Sequence, residues 1–374
     1  MSDTPKIGLL VSVPWPVRLL GDFQDVTGMP AFSAALDLRT AVGANPRRDG
    51  LWRVTGGGLA GPIEFDPAGD AGAAEALPSL ARARRALLAR GVALRGGFDF
   101  QVLTRAPWSV ADSPALDVAC AAVLLELHGL FQNLSAGELA EWVMSGREEM
   151  EVHARQYPEV CAAAMGGALF AESGDARAAR PCERSLPEMA LGWRPGAPPA
   201  DALPDAVRAM LQSLVAMRRK WDAFDIRATE LERATPMLNL LGDEDAGRVY
   251  SQLVARDLCR QARDMMESET GVDDDRIAEL LDGAHELLRD YHGLSSPELE
   301  RLTSAATGGG AIGCRLLPGL NAVLALTPGR QEDVVAALRA AGGEARGTAL
   351  SDGIRIEPVA GRRAAPDDKA SRSS

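Results

Sequence analysis

One stretch in the first half of the chain has the local pattern of a phosphate-binding junction. Residues 103–127, LTRAPWSVADSPALDVACAAVLLEL, read as a strand that runs into a buried, apolar helix. Such a junction can bind phosphate because the free N–H groups and the dipole of a helix N-terminus attract an anion. A phosphate cradle normally needs glycine, which lets the backbone approach the ligand closely. No glycine lies between Arg105 and Leu127, so the residue types argue against the chemistry that the pattern indicates.

Metal and disulfide chemistry have little support in the sequence. The five cysteines are scattered and include no CxxC pair, and most lie in apolar contexts. We therefore interpret them as reduced core residues. The four histidines have no spacing typical of metal ligands either; they are His128, His153, His285 and His292.

Composition and charge exclude several classes of protein. The chain has 374 residues, of which 46% are hydrophobic and 25% charged, as expected for a globular protein of two domains or one bilobal unit. Its formal net charge of -12 argues against a general binder of nucleic acid or of anionic membranes. A small anionic ligand in a local basic pocket stays possible. The apolar run near the N-terminus is too short for a signal or a membrane span, so we expect a cytoplasmic protein.

The elements that would position the chemistry follow a mixed order. Strands and helices alternate irregularly in the first half, with a loop marked by proline and glycine at 14–30 and one helix over 135–156. A linker rich in proline, glycine and alanine covers 192–204. The chain beyond it is mainly helical, before a β-α-β-like unit at 311–361. Antiparallel-looking strands with segregated helices are typical of an α+β fold.

Two helix starts can be predicted from their capping residues. Ser113 or Asp112 is a suitable N-cap for the apolar helix, and Pro114 suits its first turn. Ser135 and Glu138 have capping-box spacing at the start of a second helix.

Four stretches carry a resemblance to a known family. The segment PWPVRLLGDFQDVTGMPAFSAALDL at 14–38 is similar to the sugar-binding signature PGRVNLIGEHTDY of the galactokinase-like branch of the GHMP kinases. AMGGALFAE at 164–172, AHELLRDYHGLSSPELERLTSAAT at 284–307 and GAIGCR at 310–315 resemble later motifs of the same family. The order is the same as in the family, so the resemblance covers nearly the whole chain.

The resemblance implies a fold and a domain division. We expect a two-lobed GHMP-kinase-like α+β fold, with a mixed or antiparallel sheet and helices in the N-terminal lobe and a helix-rich α+β C-terminal lobe. The expected units are an N-terminal lobe at 1–191, a C-terminal lobe at 203–361 and a disordered tail at 362–374. The cleft between the lobes would be lined by residues 21–28, 109–115, 164–167 and 316–321.

The resemblance also implies an activity and its cofactors. The family transfers the γ-phosphoryl group of ATP, with Mg²⁺, to a hydroxyl of a sugar or sugar phosphate. The reaction mostly needs positioning and charge neutralisation. The partner would be a small molecule, and we expect neither nucleic acid nor a membrane.

The nucleotide motifs of the family are poorly kept. PxxxGLSSSA falls on SVADSP, so the resemblance gives Ser109, Asp112 and Ser113 as nucleotide-binding residues, with Ser113 the only serine retained. The carboxylate of Asp112 would repel a triphosphate. The third glycine motif keeps only Gly319, which is the fourth nucleotide-binding candidate.

The resemblance places the catalytic and metal residues as follows. Glu159 stands where the family has its catalytic aspartate, although a carboxylate favoured at a helix start is an alternative. Arg18 is a second catalytic candidate, and a surface salt bridge is equally compatible with it. Glu148 is the candidate Mg²⁺ ligand, together with Ser113, and the alternative for Glu148 is a solvated helix face.

Substrate binding is assigned to the first signature. Asp22 and Asp25, with Gly21, stand where the family uses carboxylates to accept hydrogen bonds from sugar hydroxyls. Ordinary turn chemistry is the alternative for both aspartates.

Three hypotheses therefore stay open. The first is an active sugar kinase with divergent loops. The second is a catalytically inactive pseudokinase that binds a sugar-like ligand or a protein partner. The third is an unrelated α+β binding protein whose matches are accidental. The first two are separated by what residues 109–114 and 316–321 can bind.

Overall fold

The computed structural model describes residues 8–57, 59–67, 77–104, 113–147, 150, 156–172, 179–183, 185–195, 202–268 and 273–358. This part of the chain folds as an α+β protein, which confirms the predicted class. None of the described helices combines the length and hydrophobicity that crossing a bilayer requires. The predicted tail at 362–374 lies outside the described residues.

The described strands form two sheets. The larger has eight strands, with the path β12-β1-β2-β5-β3-β4 and with β6 pairing with both β2 and β7; the smaller has the order β11-β8-β10-β9. The strands are β1 Leu9–Leu20, β2 Ala31–Arg47, β3 Trp52–Gly56, β4 Ile63–Phe65, β5 Gly97–Thr104, β6 Ala168–Ala171, β7 Ala179–Pro181, β8 Met189–Trp193, β9 Gly313–Leu317, β10 Ala322–Leu326, β11 Glu344–Thr348 and β12 Arg355–Pro358.

The chain crosses between the two sheets twice. β8 overlaps the start of the predicted linker and pairs with β10 and β11 of the smaller sheet, whereas β12 returns from the C-terminal end to pair with β1. The division into lobes at 1–191 and 203–361 stays a prediction.

Some helices pack on these sheets and others pack on neighbouring helices. Their bounds are α1 Gln24–Thr27, α2 Pro78–Ala89, α3 Pro114–Leu127, α4 Ala136–Gly146, α5 Tyr157–Met165, α6 Ala202–Lys220, α7 Leu231–Leu238, α8 Asp243–Glu267, α9 Asp274–His292, α10 Pro297–Gly308 and α11 Gln331–Ala340. Among the described helices, α3 has the most buried residues, twelve from Pro114 to Leu125. A helix that is apolar all round belongs in a core, and α3 lies against β1, β2 and α5.

The predicted loop at 14–30 is wrong over its first part. β1 continues through Pro14 and Pro16 to Leu20, paired with β2. β12 pairs only with residues Leu9 to Ser12 of β1, and a register shift follows Pro14. The two prolines therefore lie where the missing N–H groups interrupt no second ladder, which composition alone did not reveal.

The predicted helix over 135–156 is also wrong in extent. α4 ends at Gly146, where a methyl group would lie 2.7 Å from the carbonyl oxygen of Arg82. α5 starts separately after Gln156, which has a left-handed φ of 50°. The capping predictions for Ser113 and for the box of Ser135 and Glu138 are confirmed; Asp112 lies outside the described residues.

Candidate active site

A cavity of about 150 Å³ lies where β1, the first turns of α3 and α5, and the turn between β9 and β10 meet. Its lining combines charged groups with apolar walls. The lining residues are Trp15, Pro16, Val17, Arg18, Asp22, Asp25, Pro114, Gln156, Glu159, Leu203, Leu317, Pro318, Gly319 and Leu320.

Arg18 is the centre of the charged part. β1 carries its guanidinium into the interior, where the residue is 8% exposed. Nη2 donates to Asp25 Oδ2 at 2.7 Å and to Glu159 Oε2 at 2.5 Å. Nη1 donates to the carbonyl oxygens of Gly21 and Asp22, at 3.2 and 3.0 Å. Arg18 is therefore a buried hub and not a surface salt bridge.

Glu159 lies in the first turn of α5 and is also buried. Burial raises the pKa of its carboxyl group above the ordinary 4.5, and the nearby charge of Asp25 raises it further. The guanidinium of Arg18 opposes both effects without reversing them. The group is thus a carboxylate that takes up a proton more readily than an exposed glutamate.

Asp25 joins α1 to α5. Its Oδ1 accepts the backbone N–H of Tyr157 at 3.0 Å, while Oδ2 accepts from Arg18. Tyr157 is the first residue of α5, whose N-terminal N–H groups have no partner within the helix. Asp25 therefore fixes the helix that carries Glu159.

Asp22 is held from the smaller sheet. Nη2 of Arg315, on β9, donates to Asp22 Oδ1 at 2.7 Å, and Nη1 donates to the carbonyl oxygen of Leu19. Arg315 is fully buried. The sequence motif GAIGCR contains this arginine, but its partner is 293 residues away and no local pattern identifies it. We call Arg18, Asp22, Asp25, Glu159 and Arg315 the carboxylate cluster.

The side chain of His285 supports β9, the strand that carries Arg315. Its Nδ1 accepts the N–H of Leu316 at 3.2 Å, so Nε2 carries the proton and donates to Glu300 Oε1 at 3.0 Å. Burial lowers the pKa of His285, which keeps the ring neutral. It is a satisfied structural histidine.

The opposite side of the cavity is formed by Pro114 and by residues 318–320, which we call the loop wall. Ser113 caps α3, and its Oγ accepts the N–H of Leu116 at 3.2 Å. Because Pro114 has no N–H, Ala115 is left as the remaining donor of that first turn. An anion would find fewer donors here than at an uncapped helix N-terminus.

A buried polar network lies behind the loop wall. Asp117 of α3 accepts from Arg82 Nη2 at 2.7 Å and from Arg147 Nη1, and all three side chains are buried. Arg147 Nη2 also donates to Oε1 of Gln156, at 3.3 Å. The network ties the start of α3 to the residue that begins α5.

Gly319 lies in the turn between β9 and β10 with a φ of +80°. A methyl group added there would lie 3.6 Å from Cδ2 of Leu203, the second residue of α6. Pro114 and residues 318–320 line the same cavity, so the described end of the predicted cleft segment 109–115 meets the predicted segment 316–321.

The other predicted residues divide into three groups. Gly21 has a φ of +85°, and a methyl group there would lie 2.5 Å from the carbonyl oxygen of Pro30, so glycine is required. The predicted cleft segment 164–167 does not line the cavity, because Gly166 packs against Gly353. The remaining candidates lie outside the described residues: Ser109, Asp112 and Glu148. Within the described ranges, no group of three or more His, Cys, Asp or Glu could hold a metal ion.

Comparisons with known proteins show which proteins share this architecture. No family model matches the chain. The chain is 28% identical over 375 residues to mevalonate kinase from Pyrococcus furiosus, with 94% of this chain and 99% of that protein covered. The galactokinase of Lactococcus lactis, solved with galactose, superposes with a TM-score of 0.75 at 18% identity, over 95% of this chain and 96% of that one. The chain is similar in sequence and in fold to kinases of the GHMP superfamily.

A second solved member of the GHMP kinase superfamily gives the same result. The mevalonate kinase of Methanococcus jannaschii has a TM-score of 0.68 at 12% identity, over 94% of this chain and 100% of that one. The fold is therefore shared by proteins named for a sugar and for a hydroxy acid. This similarity supports a small-molecule kinase and does not fix the acceptor.

Proposed function

We propose that this chain transfers the γ-phosphoryl group of ATP to a hydroxyl of a sugar or sugar phosphate, with Glu159 as the general base. The observation that carries the proposal is the position of Glu159: it is buried in the cavity, held 2.5 Å from Arg18 and shifted toward a higher pKa. A base is most effective when its pKa lies near the working pH. The relatives named mevalonate kinase make mevalonate a further acceptor to test.

The proposed step balances as a phosphoryl transfer. The acceptor oxygen forms a bond to the γ-phosphorus while the bond from that phosphorus to the β,γ-bridging oxygen breaks, and ADP leaves. The proton of the acceptor hydroxyl passes to Glu159. Arg18 would hold the carboxylate in place and reduce the negative charge that develops beside it.

The fit of ATP and Mg²⁺ to the described residues is partial. The first turn of α3 offers the N–H of Ala115, and Gly319 keeps the β9–β10 turn free of a side chain. Mg²⁺ bound by one carboxylate plus phosphates needs no dedicated protein cage, and when bound it would neutralise phosphate charge. Among the described residues, Ser113 remains our candidate ligand for Mg²⁺.

A catalytically inactive homologue that binds a sugar-like ligand is the second candidate. It is favoured by the loop wall, where Pro114 supplies no N–H and Ser113 already occupies the N–H of Leu116. Each phosphate contact that is absent would weaken transition-state stabilisation by about 2.7–4 kcal/mol.

Calorimetry with ATP·Mg, followed by measurement of ADP release with a panel of hydroxyl acceptors, tests the two candidates. We expect nucleotide binding and acceptor-dependent ADP release. Ligand binding without any nucleotide binding would remove the kinase proposal and leave the inactive homologue.

A further inference from the structure

We infer that, among the acceptors considered above, the pocket selects an uncharged polyhydroxyl compound and rejects those that carry a carboxylate or a phosphate. This inference rests on the proposed function for its role in catalysis, but it concerns binding alone and can be tested without nucleotide.

The charge of the lining supports the inference. Three carboxylates and one guanidinium line the cavity in its described part, which is an excess of two negative charges. Arg315 balances Asp22 from behind, but it is fully buried and does not line the cavity. When Arg315 is included, the carboxylate cluster still carries one excess negative charge. An anionic ligand would therefore be repelled in a setting of low effective dielectric constant.

The guanidinium of Arg18 is not available to an anion. Both of its Nη atoms are engaged, Nη2 with two carboxylates and Nη1 with two backbone carbonyls. Its Nε has no hydrogen-bond partner within the described residues, yet it is enclosed by protein. A carboxylate or phosphate is best recognised by a free, two-pronged guanidinium face, and Arg18 presents none to the cavity.

The same groups suit hydroxyl donors. The carboxylates of Asp22 and Glu159 line the cavity and can accept hydrogen bonds from hydroxyls. The apolar walls, formed by Trp15, Val17 and Leu320 among others, would contact the carbon skeleton. A polyol satisfies both surfaces, whereas an anion would lose its hydration without gaining a charge partner among the described lining residues.

Two matched pairs of probes test the inference on the full chain. The first pair is galactose and galacturonate. The second is mevalonate and the triol obtained by reducing its carboxylate to an alcohol. Calorimetry without nucleotide gives the affinity of each, and we expect the neutral member to bind about tenfold or more tightly, which corresponds to one unfavourable charge contact.

A charge variant sharpens the test. Asp22→Asn would leave the Arg315 charge uncompensated at the cavity floor, so we expect the preference for the neutral member to shrink by about tenfold. Asp205→Asn is the matched control, because Asp205 is exposed on α6 and does not line the cavity. The control should keep the wild-type preference. If Asp22→Asn fails to fold, the wild-type pairs still decide.

The outcomes separate this inference from the kinase proposal. An anionic member that binds as tightly as its neutral partner, or no binding by any of the four probes, would overturn the inference. A neutral probe that binds but is not phosphorylated in the presence of ATP·Mg would support the inference and remove the kinase proposal.

Discussion

The carboxylate cluster and the loop wall face each other across one cavity and differ in how completely they are built. In the cluster, five charged groups from β1, the turn after it, α1, α5 and β9 hold one another through short contacts. The loop wall offers a capped helix start, a proline and one glycine. The comparison indicates that the half of the site that would contact the acceptor is fixed by long-range ion pairs, while the half that would contact phosphate has few donors.

The largest effect is expected from removing the hub of the cluster. Arg18→Met would leave Asp25 and Glu159 buried without their guanidinium, and we expect a loss of about 3–5 kcal/mol in the free energy of unfolding. Urea denaturation measures it. Arg208→Met is the control: Arg208 is exposed and paired only with the exposed Asp205 among the described residues, so its loss should stay near 0.5 kcal/mol or less. Equal losses in the two variants would contradict the buried-hub interpretation.

The variant Glu159→Gln distinguishes a catalytic role of Glu159 from a purely structural one. The amide can still accept from Arg18 but cannot take a proton, so acceptor-dependent ADP release should fall by about 10²–10⁴-fold. Acceptor affinity, measured by calorimetry, should change far less. Glu172→Gln, on an exposed carboxylate paired with Arg263, provides the matched control. Turnover that survives in Glu159→Gln would remove Glu159 from its proposed role.

The pH profile follows from the state of the same group. Burial first, and then the charge of Asp25, raise the pKa of Glu159 above 4.5. Because the base must be ionised, turnover should fall as the pH drops through this raised pKa, by about tenfold per pH unit below it. If the fall in turnover at low pH gives an apparent pKa no higher than that of an ordinary exposed glutamate, another group controls the rate.

Much of the fold follows from local sequence, and most of the site does not. The apolar length of α3, its Ser113 cap and the Ser135–Glu138 box are local features, and each was predictable. Arg18 and Glu159 are 141 residues apart in the chain, and neither periodicity nor spacing pairs them. The family resemblance identified both as catalytic candidates, but only the structure shows that they are in direct contact.

The two wrong secondary-structure predictions, the loop at 14–30 and the helix at 135–156, have a common physical cause. Proline at positions 14 and 16 predicts a loop, but tertiary pairing with β2 keeps the strand extended. Helical periodicity continues past Gly146, yet α4 ends there, at a residue whose backbone packs closely against Arg82. In both cases a long-range contact overrides the local preference.

The smallest effect is expected at the loop wall. Gly319→Ala would force a side chain into a left-handed conformation, at a cost of about 1–2 kcal/mol in stability. Gly329→Ala is matched, because its φ is +65° and no atom lies within 4 Å of the added methyl group. Thermal denaturation should give similar losses for both, and only Gly319→Ala should weaken nucleotide binding. Equal nucleotide affinities in the two variants would show that the β9–β10 turn does not contact ATP.

Single-turnover transfer from radiolabelled ATP tests most directly whether the two sides of the cavity work together. Excess wild-type protein is mixed with γ-labelled ATP·Mg and a neutral acceptor that calorimetry has already shown to bind. We predict that label appears on the acceptor faster than it appears as free phosphate, and that Glu159→Gln abolishes this transfer. A bound acceptor that stays unlabelled while ATP remains intact would contradict the kinase assignment.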